Sequence, residues 1–415
     1  MTLNVGIVGG GFAGAAAALF LHRGGHQVTL YEAVEDPQPV GAGILLQPTG
    51  MYVMEQLGLL DAVVDHGAVV DRLRCRTADG RTLFQLAYAK RAEGLYGLGL
   101  HRGVLFDVLF RAAVADGVDV RCGHEMIDLV DGGMLLDSRG RASGPHDLVV
   151  VADGARSQIR ASDFPAALDE PYPWGALWFV ARDPDRIFRR ELFQCVEHTT
   201  TMLGFLPTGR APHGDTNLTS IFWSLEASAL AQWHRRVRFL GIRRFTEQIA
   251  RLVPESEPLV DQIRSPEQVL FAAYRDVRLR RWYARKHGTP VVVIGDAAHA
   301  MSPQLGQGSN LALYDAMVLG ECLGEGDDAM EGLRRYQRAR ASHLGFYGRV
   351  NRWVTPFFQG HSKVLGYLRD IGFPIASNLP ILHHAMVDTM AGVRRGFVYS
   401  EALPLPKLPP PRDDE

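Results

Sequence analysis

The sequence predicts an α/β fold, in which a Rossmann-like dinucleotide-binding domain carries an inserted antiparallel β-sheet and is followed by a helical C-terminal region. Three observations support this prediction. A short apolar strand, a glycine turn and the start of a helix occupy the first fifteen residues. The apolar runs Asp147–Val151 and Val291–Ile294 are typical of buried parallel strands, and each is followed by a Gly next to an Asp. Between them, about residues 172–230 contain short aromatic and β-branched segments separated by turn signals, as antiparallel strands do.

The glycine turn has the pattern G-x-G-x-x-G, formed by Gly9, Gly11 and Gly14. In this pattern the first glycine permits a tight turn, the second lets backbone approach a pyrophosphate, and the third lets the helix pack on the strand. The helix N-terminus adds unpaired N–H groups and a partial charge of about +0.5. Glu32 follows the next strand, Val28–Tyr31, where an acid accepts hydrogen bonds from a ribose. The order of these parts predicts a dinucleotide site.

Composition and charge narrow the class of protein. The 415 residues suffice for one large or two medium domains, and 47% apolar with 22% charged residues is typical of a globular chain. The net charge of −2 gives no general attraction to nucleic acid or anionic lipid. The four cysteines form no C-x-x-C pair, so we expect reduced thiols and a cytoplasmic location. No apolar run of 18 residues occurs, so no transmembrane segment is predicted, and no N-terminal leader is predicted either.

The remaining elements follow from periodicity and from start and stop signals. The first helix is predicted to end at Arg23, because Gly24-Gly25 is a C-terminal stop. The predicted helices span residues 13–23, 105–115, 308–323 and 330–354. The predicted domains are a discontinuous dinucleotide-binding domain (1–170 and 265–330), an inserted substrate domain (171–264), a C-terminal helical region (331–400) and a disordered, proline-rich tail (401–415).

Three further motifs lie far downstream of the fingerprint, and two of them directly follow the predicted buried strands. His101-Arg102 precedes a helix start, and Asp153–Arg160 reads D-G-x-R-S-x-x-R. Gly295–His299 reads G-D-A-A-H and leads to the P-x-x-G-Q-G segment Pro303–Gly308. With the fingerprint, this ordered set resembles the single-component flavoprotein aromatic hydroxylases, the para-hydroxybenzoate hydroxylase family. The resemblance covers about residues 3–355.

The resemblance implies FAD as the resident cofactor, with its isoalloxazine ring between the two domains. It implies that Gly306 and Gly308 lie in a loop whose backbone N–H groups face the flavin N1/O2 edge, where a helix N-terminus favours negative charge. Pro303 matches the proline beside flavin C4a and is the implied catalytic residue. The implied cofactor-binding residues are Gly9, Gly11, Ala13, Gly14, Glu32, Gly41, Gly43, Arg102, Met126, Asp153, Asp296, Gly306 and Gly308.

Some of these residues also have simpler interpretations. Asp296 follows a strand and is equally suited to cap the next helix. Asp153 and the arginines after it are compatible with a structural ion pair. We interpret His299 as a packed histidine and not as a base, because flavin hydroxylation needs no histidine there. The pair His383-His384 lacks a cysteine or carboxylate at ligand spacing, so no metal site is predicted.

The resemblance also implies the reaction. In the family, NADPH or NADH reduces FAD, and the reduced flavin captures O2 as a C4a-hydroperoxide that transfers oxygen to an aromatic ring. This chain contains no second dinucleotide fingerprint, so transient nicotinamide binding is expected and the choice between NADH and NADPH stays open. The expected partners are therefore O2 and a small aromatic molecule, with no nucleic acid, and the chain is expected to be a monomer or a homodimer.

The substrate pocket is predicted between the flavin and the inserted sheet. Its wall is aromatic and poor in charge, which favours an uncharged or weakly polar, multi-ring substrate. Leu206 and Trp223 are the predicted substrate-binding residues, although core packing is the simpler interpretation of any single one. Alternate residues of a strand face opposite sides, so Phe222 and Trp223 cannot both line the pocket. The candidate wall residues are Trp178, Phe205, Leu206, Phe222 and Trp223.

Other functions fit the same motifs. Epoxidation or Baeyer–Villiger oxygenation would use the same cofactor, and a non-catalytic FAD-binding scaffold is a third interpretation. Flavin halogenation is disfavoured because the W-x-W-x-I-P signature is absent. Residues of about 356–398 match no family pattern. Their apolar side chains are predicted to pack within the monomer, with a dimer face or a membrane surface as alternatives.

Overall fold

The computed structural model of the chain describes residues 2–38, 41–324, 328–397 and 402–410. The strands are β1 (Asn4–Val8), β2 (Gln27–Glu32), β3 (Gly43–Leu46), β4 (Ala68–Val70), β5 (Arg72–Thr77), β6 (Thr82–Ala87), β7 (Gly97–His101), β8 (Asp119–Cys122), β9 (Met126–Val130), β10 (Met134–Asp137), β11 (Ala142–Ser143), β12 (Leu148–Val151), β13 (Ala166–Arg182), β14 (Glu191–Glu197), β15 (Thr201–Gly209), β16 (Leu218–Glu226), β17 (Leu270–Leu279), β18 (Tyr283–Lys286) and β19 (Thr289–Val293). The helices are α1 (Phe12–Arg23), α2 (Pro48–Gln56), α3 (Leu60–Val64), α4 (Arg102–Ala115), α5 (Gln158–Asp163), α6 (Leu230–Leu240), α7 (Arg243–Leu252), α8 (Glu257–Val260), α9 (Asp296–His299), α10 (Gly308–Gly324), α11 (Ala329–Val354), α12 (Lys363–Asn378) and α13 (Pro380–Met390).

A six-stranded sheet positions the dinucleotide motifs. Its order is β18-β19-β12-β1-β2-β8, and every neighbouring pair is parallel except β18 with β19. Side chains alternate between its faces, so Ile7 and Val150 join the core shared with α1 and α10, whereas Val149 and Val291 join a core shared with β9 and β10. Burial on both faces explains why these strands read as continuous apolar runs. The parallel strands end at one common edge.

A seven-stranded sheet forms the second layer, in the order β17-β13-β16-β15-β14-β5-β6. One face is covered by α6, α7 and α8 through a core that contains Phe205 and Phe245. The other face meets the small sheet β3-β7-β4, where Gly99 of β7 lies against Pro207 of β15. This second face is directed toward the edge of the six-stranded sheet where the parallel strands end, which we call the dinucleotide edge.

The seven-stranded sheet is larger than the predicted inserted domain of residues 171–264. It also includes β5 and β6 from the first quarter of the chain. In addition, β13 crosses the predicted boundary at residue 171, and β17 lies wholly beyond the predicted boundary at residue 264. Arg72 and Arg74 of β5 form ion pairs with Glu191 of β14, at 2.7 Å each. Residues 72 and 191 are 119 positions apart. Local patterns do not report pairing at such separations, so the charged strand β5 is missed from sequence.

Residues 402–410 contradict the predicted disordered tail. Leu403 is buried and its N–H donates to the carbonyl of Val393 at 2.9 Å, while the Tyr96 hydroxyl donates to the carbonyl of Pro409 at 3.1 Å. Leucines alternate with prolines here, so one side of the extended segment packs against the main core. The prolines prevent the segment from forming a helix or a strand, but its leucines hold it against the main core. The predicted helices 308–323 and 330–354 match α10 and α11 to within one residue.

Candidate active site

Four predicted cofactor residues lie at one edge of the six-stranded sheet, where its parallel strands end. Gly9 follows β1, Glu32 ends β2, Asp153 comes just after β12, and Asp296 comes three residues after β19. The carboxyl edge of a parallel sheet is where dinucleotides bind. Asp296 is exposed at this edge although the residues on both sides of it are buried. The edge therefore presents polar groups to a ligand from four different strands.

Each glycine of the first turn has its own physical reason. Gly9 has a φ of +101°, and a Cβ there would lie 2.6 Å from the carbonyl oxygen of Ala152. A Cβ on Gly14 would lie 1.9 Å from the carbonyl oxygen of Gly9. Gly11 is exposed and a Cβ on it would meet no atom within 4 Å, so the protein itself does not demand glycine there. This open cradle at the N-terminus of α1, where Ala13 is buried, fits a pyrophosphate.

Glu32 is held beside the glycine turn. Its Oε2 accepts the N–H of Gly10 at 2.8 Å and its Oε1 accepts the N–H of Val34 at 2.9 Å. The N–H of His124 donates to the Glu32 carbonyl at 2.9 Å, and two residues later Met126 is buried at the start of β9. The half-buried carboxylate and the passing 124–126 backbone together fit the adenosine half of a dinucleotide.

A second open space adjoins the start of α10. Gly306 is exposed with a φ of +60°, and a Cβ on it would meet no atom within 4 Å. A Cβ on Gly308 would approach only the carboxylate of Asp296, at 3.7 Å. Pro303 is exposed at the border of the same space. The free N–H groups of the 17-residue helix α10 begin here, so the space favours the negatively charged edge of a ligand.

The structure separates the two interpretations of Asp296. The residue that precedes the short helix α9 is Gly295, and no side chain caps the helix. The exposed carboxylate of Asp296 forms no hydrogen bond or ion pair with any residue that the structure describes. A capping carboxylate would accept an N–H two or three residues further on. Asp296 is therefore available to a ligand hydroxyl.

Arg102 supplies a positive charge at the N-terminus of α4. Its guanidinium carbon lies 5.2 Å from the centre of the Phe12 ring, at the start of α1, which fits an arginine near the pyrophosphate. Gly41, with a φ of +135°, leaves room for this side chain, because a Cβ there would lie 3.0 Å from Arg102 Cδ. Gly43 differs from its predicted cofactor role. It is buried and its N–H donates to the Ser220 hydroxyl at 2.6 Å, so it packs against the seven-stranded sheet.

Asp153 carries an unsatisfied polar atom at the sheet edge. Its Oδ1 is buried and has no hydrogen-bond partner among the described residues, and burial raises the pKa of Asp153 to about 6. Arg160 is not its ion-pair partner, since that side chain pairs with Asp169 at 2.8 Å and donates to the carbonyl of Ala297 at 3.1 Å. A buried acceptor without a partner indicates a donor group on a ligand or a water molecule.

Sequence reasoning missed a buried network behind Asp296. Asp315 of α10 is fully buried and accepts from the N–H of Gly295 at 2.9 Å and from Arg340 Nε at 2.7 Å. Its other partner is His299, which is a packed residue as interpreted from the sequence. Burial alone would raise the pKa of Asp315, but His299 and Arg340 outweigh burial and hold that pKa well below its usual range. The network fixes the backbone that precedes Asp296.

The C-terminal region is fastened to the loop before α10. Gln307 Nε2 donates to the carbonyl of Met390 at 2.7 Å, and the Thr49 hydroxyl donates to the carbonyl of Ala391 at 2.9 Å. The Tyr347 hydroxyl of α11 donates to the carbonyl of Thr389 at 3.1 Å. Three elements therefore converge on the end of α13. Because Gln307 lies between the two open glycines, this contact positions the loop that borders the second open space.

The predicted wall residues divide between the two faces of the seven-stranded sheet. Trp178 and Phe222 are half-buried on the face toward the dinucleotide edge, with ring centres 5.3 Å apart, and Leu206 shares their face but is itself buried. Trp223 and Phe205 belong to the opposite core, where Trp223 meets a ring of α7 edge-on. The structure therefore corrects the prediction that Trp223 binds substrate. The face that remains is formed by Trp178 and Phe222.

Two tyrosines near this face have no sequence motif. Trp178 Nε1 donates to the hydroxyl of Tyr274 at 3.3 Å, and burial raises the pKa of Tyr274 to about 12. The Tyr172 hydroxyl donates to Gln359 Oε1 at 2.8 Å, and burial raises the pKa of Tyr172 to about 12 as well. Both phenols stay protonated at neutral pH. Tyr274 is therefore a neutral hydrogen-bond donor beside Trp178, whereas Tyr172 already donates its proton to Gln359.

Metal and thiol chemistry find no support in the described part of the chain. No group of three His, Cys, Asp or Glu side chains there is placed to hold a metal ion. None of the four cysteines forms a disulfide, and burial raises the pKa of the Cys75 and Cys195 thiols, which keeps them protonated. No helix among the described residues is long and apolar enough to cross a bilayer.

Comparison with known proteins agrees with this geometry. The sequence model of the family described as FAD binding domain matches residues 2–344. Kynurenine 3-monooxygenase of Salinispora arenicola is 30% identical over 372 residues, 82% of this chain and 76% of that protein. The 2-heptyl-3-hydroxy-4(1H)-quinolone synthase of Mycobacteroides abscessus is 28% identical over 352 residues, 80% and 84% of the two chains. HpxO of Klebsiella pneumoniae, solved with FAD and uric acid, aligns with a TM-score of 0.74 at 19% identity over 94% of this chain and 97% of that one.

The family match and the geometry lead to the same cofactor. The open cradles at Gly11 and Gly306, the free carboxylate of Asp296 and the unpaired oxygen of Asp153 fit FAD from its pyrophosphate to its ring. The match extends over most of the chain and includes both the sheet edge and the loop before α10. The chain therefore belongs to the FAD-binding-domain family and is an FAD-dependent monooxygenase of the aromatic hydroxylase type.

Proposed function

We propose that the protein uses NADH or NADPH and O2 to hydroxylate a small aromatic molecule that is multi-ring or weakly polar. The proposal depends most on the surface formed by Trp178 and Phe222, which is aromatic, half-buried and without charge. Tyr274 adds a neutral hydrogen-bond donor beside it. The names of the relatives, a kynurenine monooxygenase and a quinolone synthase, and the uric acid bound to HpxO also point to ring-shaped substrates.

The residues around the site have distinct roles in this proposal. FAD, when bound, would pass two electrons from the nicotinamide to O2, so that one oxygen atom of O2 enters the substrate and the other leaves as water. The N-terminus of α10 stabilises negative charge at the flavin edge, and Arg102 faces the pyrophosphate. Asp296 accepts from a ribitol hydroxyl and so fixes the ring in place. Pro303 borders the reacting position, while Trp178 and Phe222 orient the substrate and exclude water.

The test is oxidation of NADH and NADPH by the FAD-loaded protein in the presence of a panel of aromatic compounds. We expect one class of fused-ring compound to accelerate oxidation, and a label from ¹⁸O₂ to appear in the hydroxylated product. Incorporation of the label into an epoxide or an ester would identify the alternative oxygenations. A protein that binds FAD but oxidises neither nicotinamide with any compound would contradict the proposal and favour a scaffold.

A pair of neighbouring residues tests the position of the pocket. We expect Phe222→Ala to raise KM for the active compound while FAD affinity stays unchanged, because this ring lies on the open face. Trp223→Ala should instead lower the free energy of unfolding by about 3–5 kcal/mol, because it empties a packed core. Steady-state kinetics and urea unfolding of both variants provide the comparison. If Trp223→Ala instead raises KM and Phe222→Ala lowers the free energy of unfolding, the substrate binds on the opposite face of the sheet and the proposed pocket is wrong.

Glu32→Ala should weaken FAD binding by about ten- to 150-fold, since a hydrogen bond to a charged group contributes about 1.5–3 kcal/mol. Titration of the apoprotein, followed by flavin fluorescence, measures the dissociation constant. Glu35→Ala is the matched control, because it removes an exposed acid from the same loop. If Glu32→Ala binds FAD as tightly as this control, the carboxylate does not contact the ribose.

Asp296→Ala should lower FAD affinity by a similar factor and leave the unfolding of the apoprotein within about 0.5 kcal/mol of wild type. The reason is that the carboxylate has no partner to lose among the residues that the structure describes. Asp296→Asn keeps the size of the side chain and one acceptor oxygen, so its FAD affinity should lie between the affinities of wild type and Asp296→Ala. A loss of apoprotein stability of about 1 kcal/mol with normal FAD affinity would restore the helix-cap interpretation.

A further inference from the structure

Helices α6 and α7 meet in a short turn that carries a concentration of positive charge. Residues 234–244 read H-R-R-V-R-F-L-G-I-R-R and contain five arginines and no acid, although the whole chain has a net charge of −2. Nine of these eleven residues are exposed, the exceptions being Val237 and Ile242. We call this segment the α6–α7 tip. Its arginines are Arg235, Arg236, Arg238, Arg243 and Arg244.

The tip is fixed to the protein by the inner sides of its two helices. Trp233, Val237 and Phe245 are buried in the core on the face of the seven-stranded sheet that is opposite the dinucleotide edge. The rings of Trp233 and Phe245 meet edge-on, with centres 5.5 Å apart. Gly241, with a φ of +80°, forms the turn between the helices, and a Cβ there would meet no atom within 4 Å. The basic surface is therefore held in place by packing beneath it.

An apolar pair lies in the middle of this charge. Phe239 is 88% exposed, more than any other large apolar side chain that the structure describes, and its neighbour Leu240 is 45% exposed. Arg235 and Arg236 precede Phe239 by four and three residues, so they lie on the same side of α6 as its ring. Exposed apolar side chains bordered by arginines are typical of segments that insert into the headgroup region of an anionic bilayer.

The acids of the protein do not neutralise the tip. Arg235, Arg236 and Arg244 form no hydrogen bond or ion pair with any residue that the structure describes. Arg243 pairs with Glu247 at 3.4 Å, but both side chains are more than half exposed, so the pair contributes little to stability. Arg243 and Arg244 also occupy the first turn of α7, where the positive end of the helix dipole disfavours a cation. This arrangement is unfavourable in the free protein and becomes favourable when an anion lies against the tip.

We propose that the α6–α7 tip docks the protein on the surface of an anionic phospholipid membrane, independently of the reaction proposed above. The arginines pair with lipid phosphates, while Phe239 and Leu240 enter the boundary between headgroups and acyl chains. Five arginines against the two nearby acids, Glu247 and Glu267, leave an excess of positive charge. A nucleic acid would also attract the arginines, but it offers no apolar layer for Leu240. The dinucleotide edge lies on the other side of the seven-stranded sheet and stays open when the tip is docked.

The test is co-sedimentation of the full-length, FAD-loaded protein with vesicles of phosphatidylcholine alone and of phosphatidylcholine mixed with phosphatidylglycerol. We expect binding to the mixed vesicles only, and weaker binding as salt is added. The double variant Arg235→Gln/Arg236→Gln should weaken this binding by about 25-fold, at about fivefold for each arginine. Phe239→Ala should weaken it by about tenfold. FAD content and urea unfolding should stay at wild-type values, because all three side chains are exposed.

The double variant Arg334→Gln/Arg338→Gln is the matched control, because it removes two exposed arginines of α11 and changes the net charge equally. It should bind the mixed vesicles as wild type does. The proposal is overturned if wild type binds neither kind of vesicle or binds both equally. It is also overturned if the double tip variant or Phe239→Ala keeps wild-type affinity. Binding of a single-stranded oligonucleotide through the same arginines, without binding to vesicles, would assign the tip to nucleic acid instead.

Discussion

Arg340→Met is expected to lower the free energy of unfolding of the apoprotein by about 3–5 kcal/mol, because it removes the arginine from a buried ion pair and leaves the Asp315 carboxylate with only His299 and the Gly295 N–H as partners. Arg340 and Asp315 are 1% and 0% exposed, and their atoms lie 2.7 Å apart. The guanidinium also donates to the carbonyl of Leu311 at 3.3 Å. Met has similar volume, so the effect should come from charge and hydrogen bonds and not from a cavity. Urea unfolding of apoprotein measures it.

Arg338→Met is the matched control on the same helix. The Arg338 side chain is 74% exposed and lies 3.9 Å from Glu331, so this substitution should lower the free energy of unfolding by at most about 1 kcal/mol. The pKa of Asp315 lies below its usual range, so its stabilising contribution is present above the unfolded pKa of about 3.9 and is lost as pH falls. The difference in the free energy of unfolding between wild type and Arg340→Met should therefore become smaller below about pH 4. Equal effects of both substitutions would show that the buried pair contributes little.

The sequence predicts the parts of the fold that local patterns determine. The first turn, the apolar strands β12 and β19 and the helices α10 and α11 have periodicity or glycine signals within a few residues. The family motifs also predict which edge of the sheet binds the cofactor. These features are local, and the parallel arrangement then brings their ends together.

The features that sequence reasoning misses depend on distant contacts. Asp315 and Arg340 are both buried on helices. The only sequence signal for this pair is a charged residue within the apolar face of α10, which suggests a buried partner of opposite charge. Tyr172 and Tyr274 carry no motif and reach the site only because β13 pairs with β17. Trp223 and Phe222 differ only by strand alternation, and the sequence does not say which face is covered by α7.

Gly308→Val is expected to leave the apoprotein folded and to weaken FAD binding. The φ of Gly308 does not lie in the left-handed region, and a Cβ at this position would come within 4 Å of Asp296 alone, at 3.7 Å, so the protein itself accommodates a side chain. Gly306 differs, because its φ of +60° makes any substitution strained. A branched side chain at Gly308 would occupy the space that fits the flavin edge. We expect FAD to bind at least about tenfold more weakly, a loss of about 1.4 kcal/mol.

The flavin that Gly308→Val does retain should be poorly coupled. The valine would move the flavin edge from the N-terminus of α10 and admit water, so nicotinamide oxidation should yield more hydrogen peroxide and less product. The measurements are thermal unfolding of apoprotein, FAD titration, and the ratio of product to nicotinamide consumed. Gly348→Val on α11, where a Cβ would meet no atom within 4 Å, controls for adding valine to a helix. Wild-type affinity and coupling in Gly308→Val would mean that the flavin lies elsewhere, whereas unfolding of its apoprotein would mean that the glycine serves the turn.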